Sequence, residues 1–309
     1  MQNQNPDKVR CGLIGLGHFG KNYLRLLQDT DGVVLCAVAN NLAEVFDVHK
    51  NLLFGIRTTT NAEDIFSDPL IDVVFIVTPP STHYSLIEAG LKAGKNVFVE
   101  KPMVLSLAEA KKVQALVKKS GKMFMTGYQY LFNENVLYIK REIEKGSFGN
   151  ILEFKSEHFQ SPARADVDIF WDAGSHPMSV FQYLFEPKKM ISAEGEMTHD
   201  SVLVKVKFEN APLFEIALSY FGKIKTRKIT IVGEKATAVL DETREKNKLA
   251  IIKNGKTIYP EIDSKEPLRT ELEHFIDCVR TGETPLSNVD FGSQITEWLE
   301  TISKEINRQ

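Results

Sequence analysis

A glycine-rich turn near residue 15 constrains the possible folds of this chain more than any other feature. The residues VRCGLIG at 9–15 form a short apolar run that ends at glycine, which is typical of a buried strand. The sequence GLGHFG at 15–20 then leads into apolar residues that recur at helical spacing. Glycines in this G-x-G-x-x-G order allow a tight turn, a close approach of the backbone to a pyrophosphate and close packing of helix on strand. The pattern predicts a dinucleotide-binding turn that contains Gly15, Gly17, His18, Phe19 and Gly20.

Strand-like and helix-like patterns alternate over the first 127 residues. Helical patterns separate the strands, and the last of these helices has Ser106 as a candidate N-cap and Gly121 as a candidate stop. Continuous apolar strands in such an alternation indicate a parallel sheet that is covered on both faces. We therefore expect an α/β fold with a doubly wound Rossmann domain at residues 1–126. The predicted strands lie at 9–15, 33–39, 71–77, 96–100 and 122–127.

The pattern changes after Tyr128. A predicted helix at 133–146 leads into a series of short strand-like runs, and Asn254 with Gly255 marks a hairpin turn. Short strands joined by turns indicate a largely antiparallel sheet. Residues 127–309 are therefore predicted to form an α+β domain with a large, mostly antiparallel open sheet. Its predicted strands lie at 151–159, 201–208, 213–221, 227–233, 237–241 and 248–253, and its closing helices at 267–281 and 290–306.

The composition argues against nucleic-acid and membrane partners. The 309 residues carry a net charge of -3 with both signs mixed along the chain, so no basic face is expected. No apolar run approaches the roughly 18 residues that a membrane helix needs, and the start MQNQNPDKVR has no apolar signal core. The three cysteines are far apart in sequence, which favours free thiols, and the seven histidines lack metal-ligand spacing. We expect a cytoplasmic protein without a bound metal.

Chemically distinctive residues follow the predicted strands, at the edge where open parallel sheets bind ligands. Asn40 follows the second strand, where an acid commonly accepts hydrogen bonds from the adenosine ribose. An amide there, without a neighbouring cation, favours NAD and does not exclude NADP. Thr78 and Pro79 follow the third strand as candidate cofactor contacts. His83 is either a further cofactor contact or a partly exposed histidine in the first turn of a helix.

The fourth predicted strand ends in Glu100, Lys101 and Pro102. A lysine at this edge points toward the expected cofactor cleft, where its ammonium group can hold a substrate hydroxyl or help to move its proton. The alternative is an exposed ion pair between Glu100 and a neighbour, which is common for such residues. The position at a strand end favours the first interpretation, with both Glu100 and Lys101 at the cofactor and Lys101 in catalysis.

The stretch FWDAGSHP at 170–177 places an acid and a histidine before a helix-like run. Gly174 permits a turn, and Pro177 suits the first turn of the helix, so the stretch is predicted to be a helix-capping turn. Capping alone gives no reason for Asp172 and His176. An imidazole has an unperturbed pKa of about 6.5, which makes His176 a candidate general base near neutral pH.

Four motifs in this order, GLGHFG, TPPSTH, AGKNVFVEKP and DAGSH, resemble those of the Gfo/Idh/MocA family of NAD(P)-dependent oxidoreductases. The resemblance covers nearly the whole chain. It implies a Rossmann domain, a C-terminal α/β domain whose sheet forms the interface of a homodimer or homotetramer, and oxidation of sugar or cyclitol hydroxyls. By the same resemblance, the family's catalytic lysine corresponds to Lys101, and its D-x-x-x-H pair corresponds to Asp172 and His176.

A finer resemblance concerns the substrate. The segment at 127–136 occupies the place of the family's crossover segment, with Leu131 where an arginine is frequent. The segment at 164–180 resembles members that oxidise nucleotide-activated amino sugars, such as UDP-N-acetylglucosamine, at the 3-hydroxyl. Arg164 is either a ligand for a diphosphate or carboxylate, through its planar guanidinium, or an exposed loop arginine. The candidate substrate residues are Tyr128, Gln129, Asn133, Arg164 and Trp171.

The reaction and the residue roles leave alternatives. Lys101 would orient the hydroxyl, although burial beside a cationic nicotinamide would lower its pKa and could make it the base instead of His176. Asp172 would hold either the substrate or His176. Hydride transfer at C3 of a UDP-sugar is the leading hypothesis. The alternatives are an NAD-dependent glycosidase with transient C3 oxidation, an oxidoreductase acting on a free sugar or inositol, and an NAD-binding sensor, which would need none of the three residues.

Overall fold

The computed structural model of the protein describes residues 8–159, 166–221, 224–263 and 265–308. The chain divides into two compact units. The first unit consists of Met1–Gly127 and Arg269–Thr296, and the second consists of Tyr128–Leu268 and Glu297–Gln309. The C-terminal segment therefore supplies residues to both units. The sequence-based division of the chain between residues 126 and 127 assigns this whole segment to the second domain. That division into two domains stays a prediction.

A six-stranded sheet forms the centre of the first unit. Its strands are β1 (Val9–Ile14), β2 (Val33–Ala39), β3 (Arg57–Thr59), β4 (Val73–Ile76), β5 (Asn96–Glu100) and β6 (Phe124–Gly127). Their order is β3-β2-β1-β4-β5-β6, and all neighbouring strands are parallel. This arrangement confirms the predicted doubly wound sheet. The sequence pattern missed β3, because this edge strand has three polar or charged residues and no apolar run.

An eight-stranded sheet forms the second unit. Its strands are β7 (Ile151–Phe159), β8 (Met190–Met197), β9 (Ser201–Phe208), β10 (Leu213–Ser219), β11 (Thr226–Gly233), β12 (Thr237–Asp241), β13 (Leu249–Lys253) and β14 (Lys256–Ile258). The order is β14-β13-β12-β11-β7-β10-β9-β8, and only β7 and β10 pair in parallel. The predicted open, mostly antiparallel sheet is therefore confirmed. Asn254 and Gly255 form the predicted turn with φ angles of 51° and 72°.

Nine α-helices accompany the two sheets in the described ranges. The capping prediction for α5 is confirmed, since the Ser106 side chain accepts the Glu109 N–H and Gly121 ends the helix with a φ of 63°. None of the helices in the described ranges is long and apolar enough to cross a membrane. The three cysteines are free, as predicted. The helices are α1 (Gly20–Asp29), α2 (Glu44–Val48), α3 (Glu63–Phe66), α4 (His83–Lys92), α5 (Leu107–Ser120), α6 (Glu134–Glu144), α7 (Ser175–Phe185), α8 (Pro267–Thr281) and α9 (Val289–Ile306).

The two faces of the second sheet differ in chemistry. Buried and exposed residues alternate strictly along β9, as the period of a strand requires. On the buried face, the ring of Phe181 from α7 lies 5.4 Å from that of Phe154 and 4.7 Å from that of Phe214. The opposite face carries ion pairs between strands, such as Lys205 with Glu215 at 3.3 Å. One face therefore builds an aromatic core, and the other is charged.

The stretch at 170–177 is not a helix-capping turn, and this prediction is wrong. Phe170–Gly174 form a π-helical turn that continues without interruption into α7. The cap lies earlier, where the Asp168 carboxylate accepts the Trp171 N–H at 3.0 Å. Gly174 has an ordinary helical φ of -68°. A glycine is needed there because a Cβ would lie 2.8 Å from the Phe170 ring.

The aromatic core predicts a large difference between two phenylalanine substitutions. Phe181→Ala removes a fully buried ring and should lower the free energy of unfolding of the second unit by about 3–5 kcal/mol. Phe221→Ala, at a side chain that is 72% exposed, should change it by less than about 0.5 kcal/mol. Both tryptophans, Trp171 and Trp298, belong to this unit, so urea unfolding followed by tryptophan fluorescence reports on it directly. Equal effects of the two changes would contradict the assignment of the core.

Candidate active site

The glycine-rich turn joins β1 to α1 at the carboxyl edge of the parallel sheet. Gly15 has a φ of 97°, and a Cβ there would lie 2.3 Å from the Val77 carbonyl oxygen. A Cβ on Gly20 would lie 2.2 Å from the Gly15 carbonyl oxygen, whereas no described atom lies within 4 Å of the Cβ position of Gly17. No described side chain caps the N-terminus of α1. Open space beside a helix N-terminus suits a pyrophosphate, so the turn fits the phosphates of NAD.

The residues beside this turn have defined contacts. The side-chain oxygen Oδ1 of Asn40 accepts the backbone N–H of Leu16 at 3.0 Å. Its side-chain nitrogen Nδ2 donates to the backbone carbonyl oxygen of Leu42 at 3.0 Å. Asn40 thus ties the turn to the end of β2, and its predicted contact with a ribose stays a prediction. His18 is exposed. Phe19 packs edge-on against Tyr23, with ring centroids 5.9 Å apart.

His83 connects the loops that follow β4 and β5. Its side chain is fully buried, so the alternative of a partly exposed histidine is wrong. Nδ1 lies 2.8 Å from the Pro102 carbonyl oxygen, and Nε2 lies 2.9 Å from the Thr78 carbonyl oxygen. Burial lowers the pKa of His83, against the opposing effect of these carbonyl oxygens. The ring therefore holds two loops together, while Pro79 is exposed beside them.

Glu100 is buried at the end of β5, so an exposed ion pair is excluded for it. One carboxylate oxygen accepts the Tyr23 hydroxyl at 2.6 Å, and the other accepts the backbone N–H of Lys101 at 3.0 Å. Burial raises the pKa of Glu100, and the hydrogen bond from Tyr23 and the charge of Lys101 lower it in part. The carboxylate therefore orients the backbone of Lys101, whose own side chain is half-buried.

Asp172 and His176 lie in the second unit, on the continuous helical segment described above. Asp172 is buried, and Oδ2 accepts the Tyr220 hydroxyl at 3.3 Å. His176 lines a pocket together with Tyr130, His158 and Arg227. The centroid of the His176 ring lies 5.0 Å from the centroid of the Tyr130 ring. The His158 ring is nearly parallel to the His176 ring, with centroids 6.3 Å apart and 17° between the planes. Two imidazoles and a phenol are thus gathered in one polar pocket, which can bind a hydroxyl group and accept its proton.

The predicted substrate residues fall into different settings. Tyr128 is fully buried, whereas Gln129 and Trp171 are half-buried. The Asn133 side chain caps α6 and donates to Glu242 at 3.0 Å, so it has a structural role in the second unit. Arg164 lies outside the residues that the structure describes. Lys101 and the glycine-rich turn belong to the first unit, and the remaining site candidates from Tyr128 onward belong to the second.

Sequence reasoning missed Tyr130, His158, Tyr220 and Arg227, which surround Asp172 and His176 or line the same pocket. Alternation along β7 could have revealed His158, because it shares the buried face of that strand with Phe154. The other residues carry no local signal. In the described part of the chain, no group of three His, Cys, Asp or Glu residues is arranged to hold a metal ion.

Comparison with protein families gives two matches. The Gfo/Idh/MocA model for the "oxidoreductase family, NAD-binding Rossmann fold" matches residues 9–128. The companion model for the "oxidoreductase family, C-terminal alpha/beta domain" matches residues 140–308. Together the matches cover most of the chain.

Individual relatives act on inositols or a nucleotide sugar. The chain is 27% identical over 305 residues to scyllo-inositol 2-dehydrogenase (NAD(+)) of Bacillus subtilis, covering 90% of this chain and 88% of the relative. It is 26% identical to myo-inositol 2-dehydrogenase of Thermotoga maritima, covering 90% of each chain. The structure of UDP-N-acetylglucosamine 3-dehydrogenase from Acidithiobacillus ferrooxidans matches with a TM-score of 0.85 at 20% identity, covering 97% of this chain and 98% of that chain. This last likeness shows a shared fold.

The glycine-rich turn predicts opposite outcomes for two alanine substitutions. Gly17→Ala places a methyl group in open space, so the free energy of unfolding should stay unchanged while the Kd for NAD rises roughly tenfold or more. Gly15→Ala forces a side chain into a left-handed conformation against the Val77 carbonyl, so it should destabilise the fold by about 1–3 kcal/mol. Thermal unfolding and calorimetric titration with NAD separate the two effects. Unchanged NAD affinity in Gly17→Ala would refute the assigned phosphate position.

Proposed function

Because the chain belongs to the Gfo/Idh/MocA family of oxidoreductases, with an NAD-binding Rossmann fold, we propose that it transfers hydride between NAD and a secondary hydroxyl of a sugar or cyclitol. The observation that carries this proposal is the pocket beside His176, where Tyr130 and His158 add two further hydroxyl-binding groups. Lys101 at the end of β5, in the NAD-binding unit, supports it further. A sensor that only bound NAD would need none of these residues.

The proposed roles follow from the chemistry of each group. NAD, when bound, supplies the hydride acceptor at its nicotinamide ring. His176 takes the hydroxyl proton, because a neutral imidazole nitrogen can act as a general base. Lys101 orients the hydroxyl and stabilises the negative charge that develops on its oxygen. Asp172, held by Tyr220, orients the substrate or His176. The Gly15–Gly20 turn holds the pyrophosphate.

Two substrate classes compete. The residues at 164–180 resemble members that oxidise UDP-amino sugars at C3, which we propose as the finer assignment. The relatives at 26–27% identity act on inositols, which favours a free cyclitol as the second candidate. An NADH-absorbance screen against UDP-N-acetylglucosamine, free sugars and inositols decides between them. A UDP-sugar that stabilises the protein without any NADH signal would support the glycosidase with transient oxidation instead.

We further propose that the protein assembles as a homodimer or homotetramer through the charged face of the second sheet. The pairs Lys205–Glu215 and Lys155–Glu153 lie on that face, together with Leu203, which is 55% exposed. In the proposed assembly, charged groups of this face also pair between protomers, so the interface would weaken with salt, since exposed ion pairs are screened. Sedimentation equilibrium at low and high salt tests this. A monomer under both conditions would refute it.

Substitutions at the proposed catalytic residues should separate catalysis from folding. His176→Ala should lower kcat by roughly 100- to 10,000-fold, the range expected for loss of a general base. In the wild type, kcat/KM should rise with pH through the titration of a base, and this acid limb should vanish in His176→Ala. Steady-state NADH formation between pH 5 and 9, measured with the substrate found in the screen, provides both readouts. Undiminished turnover would remove His176 from the mechanism.

A second pair of variants tests Lys101 against a matched surface lysine. Lys101→Met should lower kcat at least about tenfold while the Kd for NAD changes little, because the ammonium acts on the hydroxyl. Lys92→Met, at a side chain that is 64% exposed in α4, should leave kcat unchanged. Equal kcat values for the two variants would argue that Lys101 has no part in catalysis.

A further inference from the structure

We infer that Arg227 anchors an anion-binding subsite beside His176, so that the substrate carries a carboxylate or phosphate oxygen close to its reacting hydroxyl. The inference rests on the proposed function, since it names the class of substrate for the same pocket. It concerns only residues of the second unit.

The position of Arg227 follows from the register of the sheet. Arg227 on β11 is the direct partner of His158 on β7. Direct partners in an antiparallel pair project to the same face, with Cβ atoms about 4.5–5.5 Å apart. The His158 ring in turn stacks on that of His176 at 6.3 Å. Arg227, His158 and His176 all line the pocket, so a ligand bound to the guanidinium lies in the same pocket as the proposed base.

The acidic side chains that line the pocket interact with groups other than Arg227, so its guanidinium is available to bind a ligand. Glu242 lines the pocket, but its carboxylate oxygens accept from Asn133 at 3.0 Å and from Lys248 at 3.2 Å. The carboxylate of Glu157, which also lines the pocket, pairs with the ammonium group of Lys228, with 4.0 Å between Oε2 and Nζ. Among the residues that the structure describes, Arg227 forms no ion pair, and its buried Nε–H donates to no acceptor.

A buried N–H of a charged group without an acceptor is unfavourable, typically by more than for a neutral group. Bound oxygen atoms remove this cost. A guanidinium presents several N–H donors in a planar fork, which matches the two oxygens of a carboxylate or phosphate better than a single hydroxyl. Tyr130 adds a neutral donor, since burial raises the pKa of its hydroxyl to about 12. The pocket therefore favours a polyol with an anionic substituent over a neutral one.

Three sources can supply this anion: a ring carboxylate, a phosphate monoester, or the diphosphate of a nucleotide sugar. Matched substrates distinguish them. The panel consists of D-glucuronate with D-glucose, myo-inositol 1-phosphate with myo-inositol, and UDP-N-acetylglucosamine. For at least one pair, the wild type should have a kcat/KM for the anionic substrate that is tenfold or more above that for its neutral partner. Alternatively, its kcat/KM for the nucleotide sugar should exceed that for every other member of the panel by tenfold or more.

Arg227→Met tests the role of the guanidinium, and Arg308→Met, at an arginine side chain that is 76% exposed after α9, is the matched control. Arg227→Met should lower kcat/KM for the preferred anionic substrate by roughly 10- to 100-fold, the range for one charge-assisted hydrogen-bonding partner. It should change kcat/KM for a neutral polyol by less than about threefold. Arg308→Met should change neither value. Equal losses on charged and neutral substrates, or no loss on either, would overturn the inference. If Arg227→Met fails to fold, Arg227→Gln provides the same comparison.

A binding measurement separates this inference from the proposed function. D-glucuronate and inorganic phosphate are titrated calorimetrically into NAD-saturated wild type and Arg227→Met at constant ionic strength. Arg227-dependent binding without any NADH formation across the panel would refute the proposed function and support the subsite. Turnover of a polyol with no dependence of anion binding or anion preference on Arg227 would support the function and refute the subsite.

Discussion

The hydrogen bond from the Tyr23 hydroxyl to the buried Glu100 carboxylate, 2.6 Å long, joins the helix after the glycine-rich turn to the strand that ends at Lys101. The second carboxylate oxygen holds the Lys101 N–H, and the Tyr23 ring packs 5.5 Å from that of Phe98. Burial raises the pKa of Glu100, and the Tyr23 hydroxyl acts against that rise by favouring the charged form. One buried contact thus connects the helix that follows the glycine-rich turn with the backbone of the proposed catalytic lysine. His83 fixes the neighbouring loops in the same way.

In the second unit, aromatic packing supports the helical segment that carries His176 and the buried Asp172. Gly174 lets the Phe170 ring approach the π-helical turn, and this turn carries Asp172 into α7. The aromatic rings around Phe181 hold α7 on the sheet. Because α7 lies on the buried face, His176 meets side chains of β7 there, and the pocket forms where aromatic packing ends and polar residues begin.

Much of the fold and part of the site were predictable from local patterns. Alternation of period 2 identified β9. The G-x-G-x-x-G order identified the turn in which a Cβ at Gly15 or Gly20 would clash with the carbonyl oxygen of Val77 or Gly15. Prediction failed where a residue's neighbours come from distant segments. The sequence predicts a turn at Gly174, but the glycine is explained by the side chains of Phe170 and of Leu218, which comes from a distant segment. Arg227 has no periodic or motif signal, since its significance comes from its partner His158 on another strand.

The sequence by itself determined most of the strands, the parallel and antiparallel sheets and the position of the glycine-rich turn, because the patterns that mark them extend over only a few residues. It also marked Lys101, Asp172 and His176, because their motifs are short and contiguous. Only the tertiary structure decided that Glu100 is buried with Tyr23, that His83 bridges two loops, and that Arg227 shares a pocket with His176. Burial and hydrogen-bond partners arise from strand order and helix packing, which bring together residues that are far apart in the chain.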